Sequence, residues 1–182
     1  KNETEKTIPE VVFYLNPGLK VASVQIGNEY VPFRREQQVV VAEREVAPGD
    51  SLVLSVTYGG KIDEEICYLD IPGEVVYDTW QTRFRTCRFG KRYAFLDKQF
   101  TLLTPEVLWY PVTEPRVNLA SPYEGRKNFT RYMLNVMVSS GEKTIISQGR
   151  KEVHEGGTSF YNDMPLVGLS LCIGDYESRS VI

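Results

Sequence analysis

The hydrophobic pattern along the chain is one of short strands parted by turn residues. The run SLVLSVTYGG (51–60) alternates most cleanly, with Leu52, Leu54, Val56 and Tyr58 on one face and Ser51, Val53, Ser55 and Thr57 on the other. That period of two predicts a strand with one face on a core. PEVVFYL (9–15) is β-branched and aromatic, and Asn16-Pro17-Gly18 after it predicts a turn in which Pro sets φ and Gly supplies a positive φ. LKVASVQIG, from Leu19, sets Leu19, Val21, Ser23 and Gln25 against Lys20, Ala22, Val24 and Ile26, a mixed pattern that still fits a strand with one buried face. Asn28-Glu29 begins a connection to Tyr30 to Phe33, and QQVVVA from Gln37 is the next strand. Further strands are predicted in EEICYLDI, KRYAFLDKQF, NFTRYMLNVMV, TIISQG and TSFYN, with hairpin connections at 139–143 and at Gly156-Gly157. PLVGLSLCIGDY, from Pro165, is nearly continuous in apolar residues and predicts a strand buried on both faces.

Two stretches depart from this rhythm. In Gln99 to Pro115, QFTLLTPEVLWYPVTEP, three prolines at 105, 111 and 115 each remove a backbone donor, which predicts a shaped loop in place of a helix or central strand. Trp109 and Tyr110 would pin that loop to the body of the domain. Residues 74–89 fit a short helix as well as a strand. About ten strands with few helical windows predict an all-β fold, a β-sandwich or saddle-shaped twisted sheet with little helix.

Length agrees with that picture: 182 residues suffice for a substantial core without staples. Residues 9–182 read as one domain and 1–8, the polar KNETEKT leader, as a linker tail on an excised or processed piece. A net charge of −3 with scattered Lys and Arg offers no nucleic-acid footprint. The richest basic run, Arg83 to Tyr93, reads as a solvated strand or turn with its aromatics turned inward. No apolar run reaches the ~20 residues of a membrane helix. Of three cysteines, Cys172 reads as a buried strand residue, while Cys67 and Cys87 would pair only in an oxidising compartment.

Catalytic chemistry is sparse. The single histidine, His154, stands in HEGGT, where Thr158 occupies the place of the second ligand of a zinc-binding HExxH helix and two glycines oppose the helix. It reads as a polar residue on a hairpin. Asp63, Glu64 and Glu65 are adjacent and therefore alternate in direction, which suits a charged turn and not an acid/base pair. No nucleophile elbow or phosphate-cradling loop is present. Asn2-Glu3-Thr4 and Asn128-Phe129-Thr130 have the form of glycosylation sequons.

Several segments together resemble the N-terminal β domain of the zinc aminopeptidase N family: FYLNPGLKVASVQIG, SLVLSVTYGGKIDEEICYL, TIISQG, YPVTEP (110–115) and FYNDMPLVGLSLCIGDY. The resemblance implies a non-catalytic domain capping a zinc peptidase domain absent from this sequence. Zinc would be expected only there, with no cofactor in this piece. In that family the strand entering the loop carries a Gln and, two residues on, a Glu or Gln that help hold the substrate's free α-amine. Gln99 matches the first and Thr101 stands at the second, so the carboxylate is missing. Glu106 would substitute only if the loop folds back. The family domain also begins with strands ahead of this chain's start, and their absence would expose a sheet edge to another protein chain. LLTPEVLWYPVT resembles bacterial proteins in which an ABC-transporter permease is fused to an aminopeptidase-like region, implying an extracytoplasmic, membrane-tethered domain.

Two functions are therefore expected in outline. One is an accessory domain that forms a wall of the substrate cleft, contacting a peptide substrate through Gln99 and the missing catalytic domain of its own chain. The alternative is a protein-interaction module of a transporter-associated protein that has lost substrate contact. A carbohydrate binder would require an exposed platform built from Trp80, Trp109 and Tyr110.

Overall fold

The computed structural model of the chain describes residues 1–64, 94–97, 99–113, 129–139 and 143–176. Among the described residues the fold is nearly all-β, with antiparallel sheets and no closed barrel. It divides into two compact units, Lys1–Asp63 with Leu108–Gly125, and Glu64–Val107 with Arg126–Ile182. The EEICYLDI strand, residues 74–89, Trp80 and the Cys67–Cys87 pair lie outside the described residues.

In the first unit, β1 (Val11–Tyr14), β5 (Val39–Ala42) and β4 (Phe33–Glu36) form one sheet, and β3 (Glu29–Tyr30), β2 (Leu19–Ile26) and β6 (Leu54–Gly60) form another. Their facing sides supply the core: Phe13, Val24, Val40 and Ala42 are buried, and Val11, Val21, Val31, Phe33, Leu54 and Val56 pack against them. Two sheets sharing one apolar interior make a sandwich.

The mixed pattern of the second strand has a structural cause. A bulge between Val21 and Ser23 inserts Ala22, so the ladder pairs Val21 with Tyr58 and then Ser23 with Thr57. The extra residue shifts the alternation by one, and Leu19, Val21, Val24 and Ile26 all face the side carrying Tyr58, Val56 and Leu54. Phe33–Glu36, only the first residue of which falls in the stretch named from sequence, is a full strand paired with β5. The turn between them is Gln37-Gln38, with Gln37 at φ 49°, and lacks the Asn-Gly signature of a tight hairpin.

The leader expected to be a linker tail is tied down. Asn2 is 1% exposed. Its amide donates to the carbonyls of Lys6 (2.8 Å) and Val46 (2.9 Å), and its Oδ1 accepts from the Thr4 backbone and hydroxyl. A bridge between Ile8 and Val46 continues the attachment. The polar composition that suggests a tail instead supplies the side-chain to backbone bonds of a turn.

The Asn16-Pro17-Gly18 turn is the polar centre of this unit. Asn16 is fully buried; its Oδ1 accepts from the N–H groups of Gly18 (3.0 Å) and Asp63 (2.7 Å). Its backbone N–H donates to the Leu108 carbonyl at 2.8 Å. Arg35, on the core side of β4 beside Val40, donates to the carbonyls of Leu15, Asn16, Leu19 and Gln37. Burial lowers its pKa from the ordinary arginine value. Gly18 does not adopt a positive φ; a Cβ there would lie 2.0 Å from the Lys61 carbonyl oxygen, so glycine is required by close approach.

In the second unit, β10 (Thr144–Ser147), β13 (Leu171–Gly174), β8 (Phe100–Leu103) and β7 (Ala94–Leu96) form a four-stranded sheet in that order. A second sheet runs β11 (Arg150–His154), β12 (Gly157–Tyr161) and β9 (Met133–Val136). The 139–143 connection does not make a hairpin, because β9 pairs with β12 while β10 pairs with β13. A hairpin does close at the second site, between β11 and β12, through Glu155-Gly156 with Gly157 already in β12. The expected long strand from Pro165 is reduced to Leu171–Gly174, preceded by an isolated Thr130–Leu166 bridge.

The loop expected over Gln99 to Pro115 begins later than the sequence suggests. Phe100–Leu103 is an inner strand, paired with β13 on one side and β7 on the other. Its four residues precede the first proline and keep their donors, so nothing opposes pairing. Irregular structure starts at the 3-10 turn Pro105–Val107. Beyond it Val112 bridges Tyr14, and the Tyr58 hydroxyl donates to the Trp109 carbonyl at 3.2 Å, contacts that hold this segment through its backbone.

Candidate functional site

The site forms where β7 turns into β8, beside the end of β13. Asp97 ends β7: its Oδ1 accepts the Gln99 N–H at 2.9 Å, and its own N–H donates to the Phe100 carbonyl at 3.0 Å. This side-chain to backbone bond ties Asp97 to Gln99, which is exposed at the head of β8. Gln99, Phe100, Asp175 and Tyr176 line a cavity of about 530 Å³.

Gly174 makes that convergence sterically feasible. It stands opposite Phe100 in the ladder, and a Cβ there would lie 3.0 Å from Phe100 Cβ, 3.1 Å from Tyr176 Cε2 and 3.2 Å from the Gln99 carbonyl oxygen. Without a side chain, the aromatic rings and Gln99 close in around the strand end. Phe100 and Tyr176 are each about two-fifths exposed, at 40% and 42%. Phe100 also meets the Phe95 ring at 6.2 Å between centroids.

Charge enters through Asp175. Thr144 pairs with Gly174, so Lys143 and Asp175 come next to each other at the end of the ladder. Lys143 Nζ donates to Asp175 Oδ2 at 2.7 Å.

The two residues singled out from sequence have different places. Gln99 lines the cavity, whereas Thr101 lies within β8, half-buried, between Ile173 and Leu96 on the face opposite Phe100 and Leu102. Strand alternation separates Thr101 from Phe100. Glu106 occupies the 3-10 turn and is not among the described lining residues. Asp175 and Tyr176 are the residues that sequence reasoning passed over as site members. Their signal was the Gly-Asp-Tyr closing the last apolar strand, read only as a family mark.

Other candidate chemistry takes structural places. His154 Nε2 lies 2.8 Å from the Oγ of buried Ser159, a bond across the β11–β12 hairpin. Among the described residues, no three His, Cys, Asp or Glu side chains gather as a metal site. Trp109 and Tyr110 stack edge to face, 4.8 Å between centroids at 83°, and are half-buried, so they present no flat platform for a sugar. No helix among the described residues is long and apolar enough to cross a membrane. Cys172 is a half-buried strand residue whose thiol is pushed up by burial.

No protein-family model and no curated protein sequence matches the chain. Solved structures do match. An M1 zinc metallopeptidase from Deinococcus radiodurans is 15% identical, with 93% of this chain and 35% of that chain covered and a TM-score of 0.62. A mutant of an M1 zinc metallopeptidase from Deinococcus radiodurans, bound to a Tyr-Ser-Ala substrate, is 16% identical over 97% of this chain and 37% of that chain, with a TM-score of 0.65. A two-domain M1 zinc metallopeptidase mutant bound to L-tryptophan matches with 16% identity, the same coverage and a TM-score of 0.65. None of these is described as a transporter, so the permease fusion gains no support from them. The chain spans little more than a third of the length of the peptidase chains it matches, and its fold is like that of an aminopeptidase N-terminal domain.

Proposed function

We propose that the chain is a non-catalytic N-terminal accessory domain of a zinc aminopeptidase-like protein, forming part of the wall of its substrate cleft. The observation that carries this reading is the likeness over 93–97% of this chain to only 35–37% of M1 zinc metallopeptidase chains. Zinc and the hydrolytic residues would belong to the remainder of the protein. Gln99 supports the reading from within the chain, because it is exposed at a cavity flanked by aromatic rings and a carboxylate, where a peptide backbone or amine would find a hydrogen-bond partner. Metal analysis and an aminoacyl-naphthylamide assay on the purified chain test it. Neither stoichiometric zinc nor cleavage is expected, and stoichiometric zinc would overturn the reading.

A second reading, a protein-interaction module with no substrate contact, draws on Thr101. That residue is neutral, half-buried and turned away from the face of Phe100. The sequence that follows residue 182 in the full-length protein separates the two. An intact HExxH followed by a Glu supports the accessory role, and a degenerate motif supports the module.

A further inference from the structure

The Lys143–Asp175 pair sits at the edge of the cavity and has an unusual setting for a surface ion pair. The residue that accepts the lysine, Asp175, itself lines the cavity, together with half-exposed Phe100 and Tyr176 and with Gln99. A carboxylate next to aromatic rings is the chemistry that holds an alkylammonium group, with the charge on the carboxylate and the rings favouring the cation and its stem. Lys143 is such a group, delivered from the neighbouring strand by the register that pairs Thr144 with Gly174.

We infer that the cavity is a subsite for the lysine side chain of a peptide ligand, and that Lys143 is its built-in competitor, holding Asp175 until the ligand's ammonium displaces it. The inference deepens the cleft-wall proposal and rests on it for the cavity being a contact surface. Displacement is easy because the pair is open to water, with side chains 27% and 64% exposed, and such pairs are weakly held. The simpler view is that the pair only locks the register of β10 against β13. It predicts an effect on stability and none on binding.

The experiment titrates the 182-residue chain with Nα-acetyl-lysine amide, whose blocked α-amine leaves the side chain as the only cation, and follows backbone amide resonances. Nα,Nζ-diacetyl-lysine amide is the neutral control. Lys143→Met, which keeps an unbranched stem, is expected to bind the cationic probe about three- to fivefold more tightly than the parent chain. Asp175→Asn is expected to bind the charged and neutral probes alike. A Lys143→Met affinity equal to that of the parent, or an Asp175→Asn variant that still prefers the cation, overturns the inference. Should Lys143→Met disturb amides beyond β10 and β13, Lys143→Gln in the same titration gives the deciding comparison. Peptidase activity is not read here, so failure of the accessory role and failure of the lysine subsite are told apart.

Discussion

The Asn16-Pro17-Gly18 turn and the Gln99–Asp175 cavity are both polar features at strand ends, and they are built in opposite ways. In the turn, a fully buried Asn16 takes up the N–H groups of Gly18 and Asp63, and Arg35 caps backbone carbonyls. Buried polar groups tied in this manner define one conformation and are costly to disturb. At the cavity, Asp175 is 64% exposed and held by one lysine, and two aromatic rings stay half in water. Exposed charge and unburied aromatic surface add little to stability and leave binding capacity unused. The difference separates polar groups consumed by folding from polar and aromatic surface left open to solvent.

The sharpest way to break this comparison is to place a methyl group in each region. Gly18→Ala would set a Cβ 2.0 Å from the Lys61 carbonyl oxygen and 2.6 Å from the Asp63 nitrogen, both backbone atoms that cannot turn aside. A loss of roughly 3 kcal/mol or more is expected, read from the midpoint shift in urea. Gly174→Ala meets Phe100 Cβ, Tyr176 Cε2 and the Gln99 carbonyl oxygen at 3.0–3.2 Å, so its neighbours need to shift by only a few tenths of an ångström. Its expected cost is about 1–2 kcal/mol by the same measurement. Equal losses at the two glycines would contradict the contrast between rigid turn and yielding rim.

A smaller effect is expected at Tyr58. Its hydroxyl donates to the Trp109 carbonyl, and burial raises its pKa above the ordinary value of 10.0. Tyr58→Phe should cost about 1 kcal/mol near neutral pH. The sign with pH follows from the raised folded value: the contribution is fully present below the unfolded pKa and is lost as pH rises through the folded one. Thermal unfolding measured from pH 9 upward should therefore fall less steeply for Tyr58→Phe than for the parent chain.

Much of the fold was legible because strand alternation is a local property. Leu54, Val56 and Tyr58 announced β6 in advance, and the family segments pointed to the right fold. What escaped the sequence depended on partners distant along the chain. The bulge at Ala22 is visible only against β6, and the hairpin at Gln37-Gln38 carries no Gly or Asn. Phe100–Leu103 was hidden by prolines that begin two residues later, at Pro105. Arg150–His154 carries no apolar alternation, yet as an edge strand its exposed charges are what an edge tolerates. At the candidate site Gln99 could be named from the resemblance. Asp175 could not, because only the pairing of β8 with β13 brings the two together.

The central claim, that this chain contributes contact surface and no chemistry of its own, is tested most directly by Gln99→Ala in the full-length protein, with KM, kcat and zinc content measured together. The account predicts a KM raised about tenfold with bound zinc unchanged, as expected when one hydrogen bond to substrate is lost. Parent-like kinetics on an active, zinc-loaded protein would contradict it.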